Sequence, residues 1–234
     1  MTEEENLRQL LFSLLAGRGA RMIGVADLTS IVDGELRTGI SVAVPIPKNI
    51  VRDLQVAPTK EYYDAYYRLN AQLDDIVSCG AEYLRENGYQ AYANTTKVTK
   101  PDENWSTPLP HKTVATQAGL GWIEELSAGY KKYGSAVRLS SLLTDAALPP
   151  DTPVRESQCG GCTVCVRSCP AQALVGTLWD ISTRREELLR KEDCKQTQVQ
   201  RMKQATGIDT DLCGLCFAIC PYTQRYLKEG TYLA

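Results

Sequence analysis

The sequence predicts an α+β chain in two parts, and three observations carry that expectation. Helical and strand periodicities are interleaved through residues 1–150. A proline-rich break, Leu148-Pro149-Pro150-Asp151-Thr152-Pro153, follows them. Beyond it, eight of the nine cysteines crowd between residues 159 and 220. The expected domains are therefore 1–150 and 151–234.

Each element has its own signature. Leu7, Leu10, Leu11, Leu14 and Leu15 recur at helical spacing and predict a first helix, which Gly17 and Gly19 would end. Met22-Ile23-Gly24-Val25-Ala26 is a short apolar run of the kind buried strands show. Ile40, Val42, Val44 and Ile46 alternate with Ser41, Ala43 and Pro45 in strand periodicity, and Pro45 with Pro47 places the end of that strand at a sheet edge. From 60 to 87 a stripe of Tyr62, Tyr66, Leu69, Leu73, Ile76, Gly80 and Leu84 predicts a long helix, stopped by Gly88. A short helix is expected at 111–119, and a strand where Val137 and Leu139 alternate with Arg138 and Ser140. In the second part, Thr183 and Glu186 form a capping-box pattern expected to open a helix running through Cys194.

Composition narrows the function classes. With 26 basic and 28 acidic residues the formal net charge is -2. Nucleic-acid binding needs concentrated Lys and Arg to release counterions, and the chain has no overall excess of them. The N-terminus, Met1-Thr2-Glu3-Glu4-Glu5, is acidic where a secretory signal would be basic, and Leu10–Ala16 is too short to cross a bilayer. A cytoplasmic location is expected.

In a reducing compartment nine cysteines do not read as disulfides. Cys159, Cys162, Cys165 and Cys169-Pro170 have the spacing C-x2-C-x2-C-x3-C-P, the run that holds [4Fe-4S] clusters in bacterial ferredoxins. Two residues between ligands let three thiolates of one turn reach three irons, while the fourth points toward a second cluster. Cys213, Cys216 and Cys220-Pro221 repeat the outline one ligand short, and Cys194 fills the deficit. The count closes with Cys159, Cys162, Cys165 and Cys220 on one cluster and Cys194, Cys213, Cys216 and Cys169 on the other. Structural zinc, commonly held by two separated C-x2-C knuckles, suits three ligands on one turn less well. The C-terminal part is expected to fold poorly without its clusters. Cys79 stands apart as a small packing residue in the long helix.

At Ala118-Gly119-Leu120-Gly121-Trp122-Ile123, with Tyr133-Gly134-Ser135, Leu142-Leu143-Thr144-Asp145 and the cysteine pattern including the lone Cys194, the chain resembles epoxyqueuosine reductases. These are corrinoid-dependent iron–sulfur enzymes related to reductive dehalogenases. The resemblance covers about residues 105–225 and is nearest to the short double-cluster members. It implies a nitroreductase-like α/β domain at 1–150 that binds a cofactor or a partner, beside a two-[4Fe-4S] ferredoxin-like domain at 151–234. It also implies cobalamin, with Gly119, Leu120, Gly121 and Trp122 lining its pocket. The family's acidic residue in a D-x-A-P segment falls at Trp105, with Asp102 and Glu103 out of register. Glu124-Glu125 stand where the family has Gly-Lys. Full-length members carry further C-terminal helical material that helps bind tRNA, and the chain stops soon after Cys220, so tRNA is not expected as a partner.

No catalytic residue is assigned from the sequence. His111, the single histidine, sits at an expected helix start beside Lys112 and is read as a loop residue or, more sharply, as a proton donor or anion contact. Gly119-x-Gly121 lacks the rest of a dinucleotide fingerprint. Lys131-Lys132 and Arg184-Arg185 are solvated surface or docking points for an electron donor such as ferredoxin or flavodoxin. Trp122 and Trp179 are expected in the core, and Asp145 as a cap. The expected function is an iron–sulfur oxidoreductase that relays electrons to a cofactor, for which a corrinoid is the first candidate and a flavin the weaker one. The alternative is a non-catalytic electron carrier or reductive activator that docks a corrinoid protein. A homodimer would suit a nitroreductase-like domain.

Overall fold

A computed structural model of the chain describes residues 2–103, 105–124, 127–129 and 132–229. Lys131, one of the two lysines singled out above, lies outside the described residues. The elements begin with α1 (Glu3–Gly17), β1 (Met22–Asp27), β2 (Thr38–Pro45), α2 (Lys48–Asp53) and α3 (Lys60–Glu86). Next come β3 (Ala91–Ala93), α4 (His111–Gln117), β4 (Trp122–Glu124), β5 (Ser127–Gly129) and β6 (Val137–Thr144). Five short-to-medium helices complete the order: α5 (Val164–Ser168), α6 (Arg185–Leu188), α7 (Lys191–Thr206), α8 (Leu215–Ala218) and α9 (Pro221–Lys228). The fold class is α+β, as the interleaved periodicities predict.

The chain forms two compact units, each drawn from three stretches of sequence. The first consists of Met1–Val44, Arg68–Gly121 and Arg138–Val154, the second of Pro45–Tyr67, Trp122–Val137 and Arg155–Ala234. The expected division has a single crossing at 150. The observed one has several, because two internal segments bond to C-terminal residues.

In the first unit a four-stranded sheet runs in the order β1-β2-β6-β3, with β1 antiparallel to β2 and β3 antiparallel to β6. β2 is thus an inner strand, not an edge. Pro45 is tolerated because it is the strand's last residue, two beyond the Met22–Ala43 pair that closes the β1 ladder. The α1 leucines divide by burial: Leu7, Leu11 and Leu15 are covered while Leu10 remains 49% exposed. Thr2 and Glu5 cap that helix reciprocally, Glu5 N–H to Thr2 Oγ1 at 3.2 Å and Thr2 N–H to Glu5 Oε2 at 2.8 Å. Successive β6 residues address opposite faces of the sheet. Leu142 packs with Leu15 against Gly80 of α3, whereas Ser141 meets His111 at the start of α4. On the α4 side, Val114 and Ala118 are buried with Ala26 and Leu28.

The proline-rich segment is stitched to this unit. Asp151 N–H donates to Val25 O at 2.9 Å, and Val154 N–H donates to Thr116 O at 2.9 Å. Asp145 Oδ1 accepts from Gln90 N–H at 2.9 Å, ahead of β3.

In the second unit the internal segments pair with the C-terminal helix. Ile46 N–H donates to Ala136 O at 2.9 Å, and Ile46 O accepts from the buried Tyr226 hydroxyl at 3.1 Å. Arg52 reaches Leu227 O at 3.0 Å. Tyr62 meets Phe217 edge-on with ring centroids 6.0 Å apart. The expected helix from 183 through Cys194 is two helices. Leu189 is extended at φ -145°, ψ 127°, bridges to Leu174 and interrupts the run between α6 and α7. Thr183 Oγ1 bonds Asp180 instead of capping, and Glu187, not Glu186, accepts from the backbone at the helix start.

Candidate metal centre

The centre lies in the second unit, and local backbone chemistry sets its ligands. Ser157 Oγ accepts from Cys159 N–H at 3.2 Å, and Cys162 N–H returns to Cys159 O at 3.2 Å, closing the turn that opens the first run. Cys165 lies on α5 and Cys169 ends it as C-cap. In the second run Gly214 is the N-cap of α8, which carries Cys216. Cys220 is the N-cap of α9, with Pro221 at the first helical position, where the missing N–H costs nothing. Cys194 lies in the first turns of α7, its N–H bonded to Arg190 O at 3.1 Å.

Four of these thiols share one space. Cys159, Cys162 and Cys165 of the first run and Cys220 of the second line a cavity of about 180 Å³. Pro221, Tyr222 and Arg225 complete its wall. Tyr222 donates its hydroxyl to Gln158 O at 3.0 Å, and the Arg225 guanidinium lies 5.0 Å above the Tyr222 ring. Trp122, 1% exposed, meets Tyr222 edge-on at 5.1 Å and points its indole N–H at Cys159 Sγ across 3.4 Å.

The remaining thiols are electrostatic neighbours. Burial raises the Cys216 thiol pKa far above its usual value, and Cys213, Cys194 and Cys165 push it further up. Cys194 is raised chiefly by burial; Cys169 and Cys213 add to the rise, while a hydrogen bond from Gln198 and the charge of Arg185 oppose it. Gln198 Nε2 lies 3.1 Å from Cys194 Sγ. Cys169 and Cys213 are thus neighbours of Cys194, Cys216 also senses Cys165 of the first run, and Cys220 shares the cavity of the first run.

An all-thiol donor set is soft and suits iron–sulfur clusters or zinc. A zinc ion draws four sulfurs to about 2.3 Å from a single point. Among the described residues, no group of three or more His, Cys, Asp or Glu side chains converges so closely. The four thiols instead surround a volume, which fits a multi-atom inorganic core. Cys79 is half-buried within α3, away from both cysteine runs in sequence.

The other predicted positions have identifiable local roles. Gly119 follows α4 with φ +68°, and a Cβ there would lie 2.5 Å from Thr152 O. Gly119 N–H and Leu120 N–H bond Thr116 O and Ala115 O, closing the helix. Leu120 packs against Ala26, Leu28, Val114 and Ala118. Gly119, Leu120 and Gly121 belong to the first unit and Trp122 to the second. Trp179 is 6% exposed, and Arg184 and Arg185 are exposed.

His111 is held in a polar network of the first unit. Its Nδ1 lies 2.9 Å from Ser141 Oγ, to which Asn94 Nδ2 donates at 3.1 Å. Burial lowers the His111 pKa to about 4; the nearby Arg138 lowers it further and Asp74 opposes. The ring is neutral at pH 7 and carries no charge with which to hold an anion. Sequence reasoning did not single out Tyr222, Arg225 or Gln198, although the first follows Cys220-Pro221 directly and the last stands one helical turn after Cys194.

Comparison with known proteins agrees with this centre. Residues 158–223 match the family described as a 4Fe-4S double cluster binding domain. That span takes in all eight clustered cysteines and leaves Cys79 outside, so the chain carries a double [4Fe-4S] module. Over 226 residues the chain is 27% identical to the epoxyqueuosine reductase of Pseudomonas aeruginosa, covering 92% of this chain and 58% of that protein. It is 31% identical over 137 residues to the epoxyqueuosine reductase of Synechococcus sp. strain CC9605, covering 56% and 42%. The chain thus spans about half the length of these relatives. In fold it is similar to an epoxyqueuosine reductase solved with a tRNA-Tyr epoxyqueuosine-modified tRNA stem loop, at 18% identity and TM-score 0.64, over 95% of this chain and 66% of that one. It is also similar to a reductive dehalogenase whose structure suggests a mechanism for B12-dependent dehalogenation, at 16% identity and TM-score 0.73, over 94% and 32%. Among the described residues no helix is long and apolar enough to cross a membrane.

Proposed function

We propose that this chain is an iron–sulfur oxidoreductase that relays electrons through two [4Fe-4S] clusters to a further acceptor, in an arrangement like that of epoxyqueuosine reductases. The observation that carries the reading is the shared cavity of Cys159, Cys162 and Cys165 with Cys220, a ligand from the other run. Those four hold one cluster, and Cys194, Cys213, Cys216 and Cys169 hold the other. Such clusters take up and release single electrons. The chain's own part is to fix eight thiolates, bury Cys194 and Cys220 to 7% and 4% exposure, and direct N–H groups at the sulfurs.

For the acceptor we take a corrinoid as the finer reading, supported by likeness of fold to a B12-dependent dehalogenase. Gly119, Leu120, Gly121 and Trp122 are the segment to test for it. The stem loop bound in the related structure puts tRNA back among the candidate substrates. His111 is retained only as a neutral hydrogen-bonding group near α4 and receives no catalytic role. An exposed cluster ligand, Cys162, suits reduction by a ferredoxin or flavodoxin.

One observation favours a second reading, an electron carrier or reductive activator for a partner corrinoid protein. Trp105 occupies the place of the family's acid, in a turn where Ser106 N–H bonds Asp102 Oδ1 at 2.9 Å. Anaerobic purification, metal and sulfide analysis, and gel filtration after incubation with cobalamin separate the readings. About eight irons per chain with a retained base-off corrinoid spectrum supports the first. The same iron without corrinoid, and no turnover of epoxyqueuosine-containing tRNA, supports the carrier. Zinc, or far less iron in fully loaded protein, sinks both.

A further inference from the structure

Cys159 and Cys194 each receive a hydrogen bond from a side chain outside the cysteine runs, and they fall in different ligand sets. Trp122 Nε1 donates to Cys159 Sγ at 3.4 Å, and Gln198 Nε2 donates to Cys194 Sγ at 3.1 Å. Resting on the cluster assignment above, we propose that Trp122 and Gln198 are positioning residues that poise the two clusters separately, each raising the reduction potential of one.

The electrostatics give the sign. A cluster that gains an electron places more negative charge on its sulfurs, so an N–H aimed at a thiolate stabilises the reduced state more than the oxidised one. The effect survives only where water does not supply an equivalent donor. In the first pair the donor Trp122 is 1% exposed over a half-buried Cys159, and in the second the acceptor Cys194 is 7% exposed. Arg225 also lines the first cavity, but its side chain is exposed and its charge is screened by solvent. The buried indole N–H, 3.4 Å from its sulfur, therefore outweighs this screened charge. The indole is also held in place. Its edge contact with Tyr222 and the Tyr222 hydroxyl bond to Gln158 O leave it little freedom to turn away from Cys159. Gln198 lies four residues after Cys194 on α7, so helical periodicity alone brings its amide over the thiol.

The test is a redox titration of the fully loaded chain, followed by electron paramagnetic resonance of each cluster. Trp122→Phe keeps the ring and deletes the N–H, and should move one midpoint potential to a more negative value while the other stays. Gln198→Leu should move the second and leave the first, and the double variant should move both. Unmoved potentials in chains that keep about eight irons, or both potentials shifting together in either single variant, would overturn the proposal while leaving the cluster reading intact. Loss of the cluster reading shows separately, as a wild-type chain short of iron. If Trp122→Phe does not load, wild-type chain labelled with indole-15N tryptophan answers instead. A 15N coupling to one reduced cluster that persists in Trp179→Phe supports the contact, and absence of any coupling overturns it.

Discussion

Arg8 and Asp151, 143 residues apart, meet through one guanidinium nitrogen: Nη2 lies 2.7 Å from Oδ1 and 2.8 Å from Oδ2. Asp151 Oδ2 also accepts from Val25 N–H at 2.8 Å, and the Asp151 backbone N–H returns to Val25 O. One side chain therefore ties α1, β1 and the proline-rich segment together. The ion pair itself is partly exposed and contributes little, whereas the bonds to the Val25 backbone are directional and long-range. Asp151→Ala should cost about 1–2 kcal/mol, read as a lower melting temperature and faster hydrogen exchange at Val25. An unchanged Val25 amide would refute the account.

Interleaving of the two runs predicts which cysteines share a fate. Cys220→Ala should remove the same cluster signal as Cys159→Ala, although 61 residues separate them. Cys169→Ala should instead remove the signal lost in Cys213→Ala. Each variant should keep about half the iron and sulfide, and Cys79→Ala should keep all of it. Iron analysis with electron paramagnetic resonance decides this, and a Cys169→Ala chain that loses the Cys159 signal contradicts it.

His111 gives a pH dependence with a definite sign. Its folded pKa is about 4 against an ordinary 6.5, so the unfolded chain binds the proton more readily. This contribution to stability is complete above about pH 6.5, declines as pH falls toward 4, and is spent below that. The loss is a few kcal/mol at most. Because the chain has a single histidine, its ring C–H resonance needs no assignment and should titrate near 4. A midpoint at 6 or above would remove the buried network from the explanation.

Gly134 and Gly207 separate steric demand from backbone demand. Both have positive φ, +58° and +78°. A Cβ on Gly134 would lie 2.2 Å from Thr223 N and 2.5 Å from its Cα, three residues after Cys220. Gly207 has nothing within 4 Å of that position. Gly207→Ala should therefore cost about 1 kcal/mol, measured by thermal melting. Gly134→Ala should displace α9, with lower soluble yield and loss of the Cys220 cluster. Equal, small effects from the two would show that Thr223 yields easily.

Legibility in the sequence followed the range of the interactions. Each cysteine run is a local pattern, and the spacing within the two runs is enough to group Cys220 with the first. The long stripe of α3 and the alternation of β6 are local too. Membership of Pro45–Tyr67 in the second unit is not, because it depends on Tyr226 reaching Ile46 O and on Tyr62 meeting Phe217. The break before α7 was hidden for the same reason: Leu189 leaves the helix to bridge Leu174, and Arg190 N–H bonds Ala173 O. Neither pairing leaves a periodic trace near Thr183. The pinning of Asp151 was likewise invisible, since its partners are α1 and β1.

The discontinuous second unit limits how this module can be transplanted. A fragment beginning at Arg155 would contain every cluster cysteine, yet would leave behind Trp122, Ser135, Ile46 and Tyr62. Its terminal helix would lose the backbone carbonyl that receives the Tyr226 hydroxyl and the amide that donates to Thr223. Simple truncation or exon-like shuffling would deliver a ligand set without its scaffold. Moving this cysteine module into another host requires grafting three separate stretches at once.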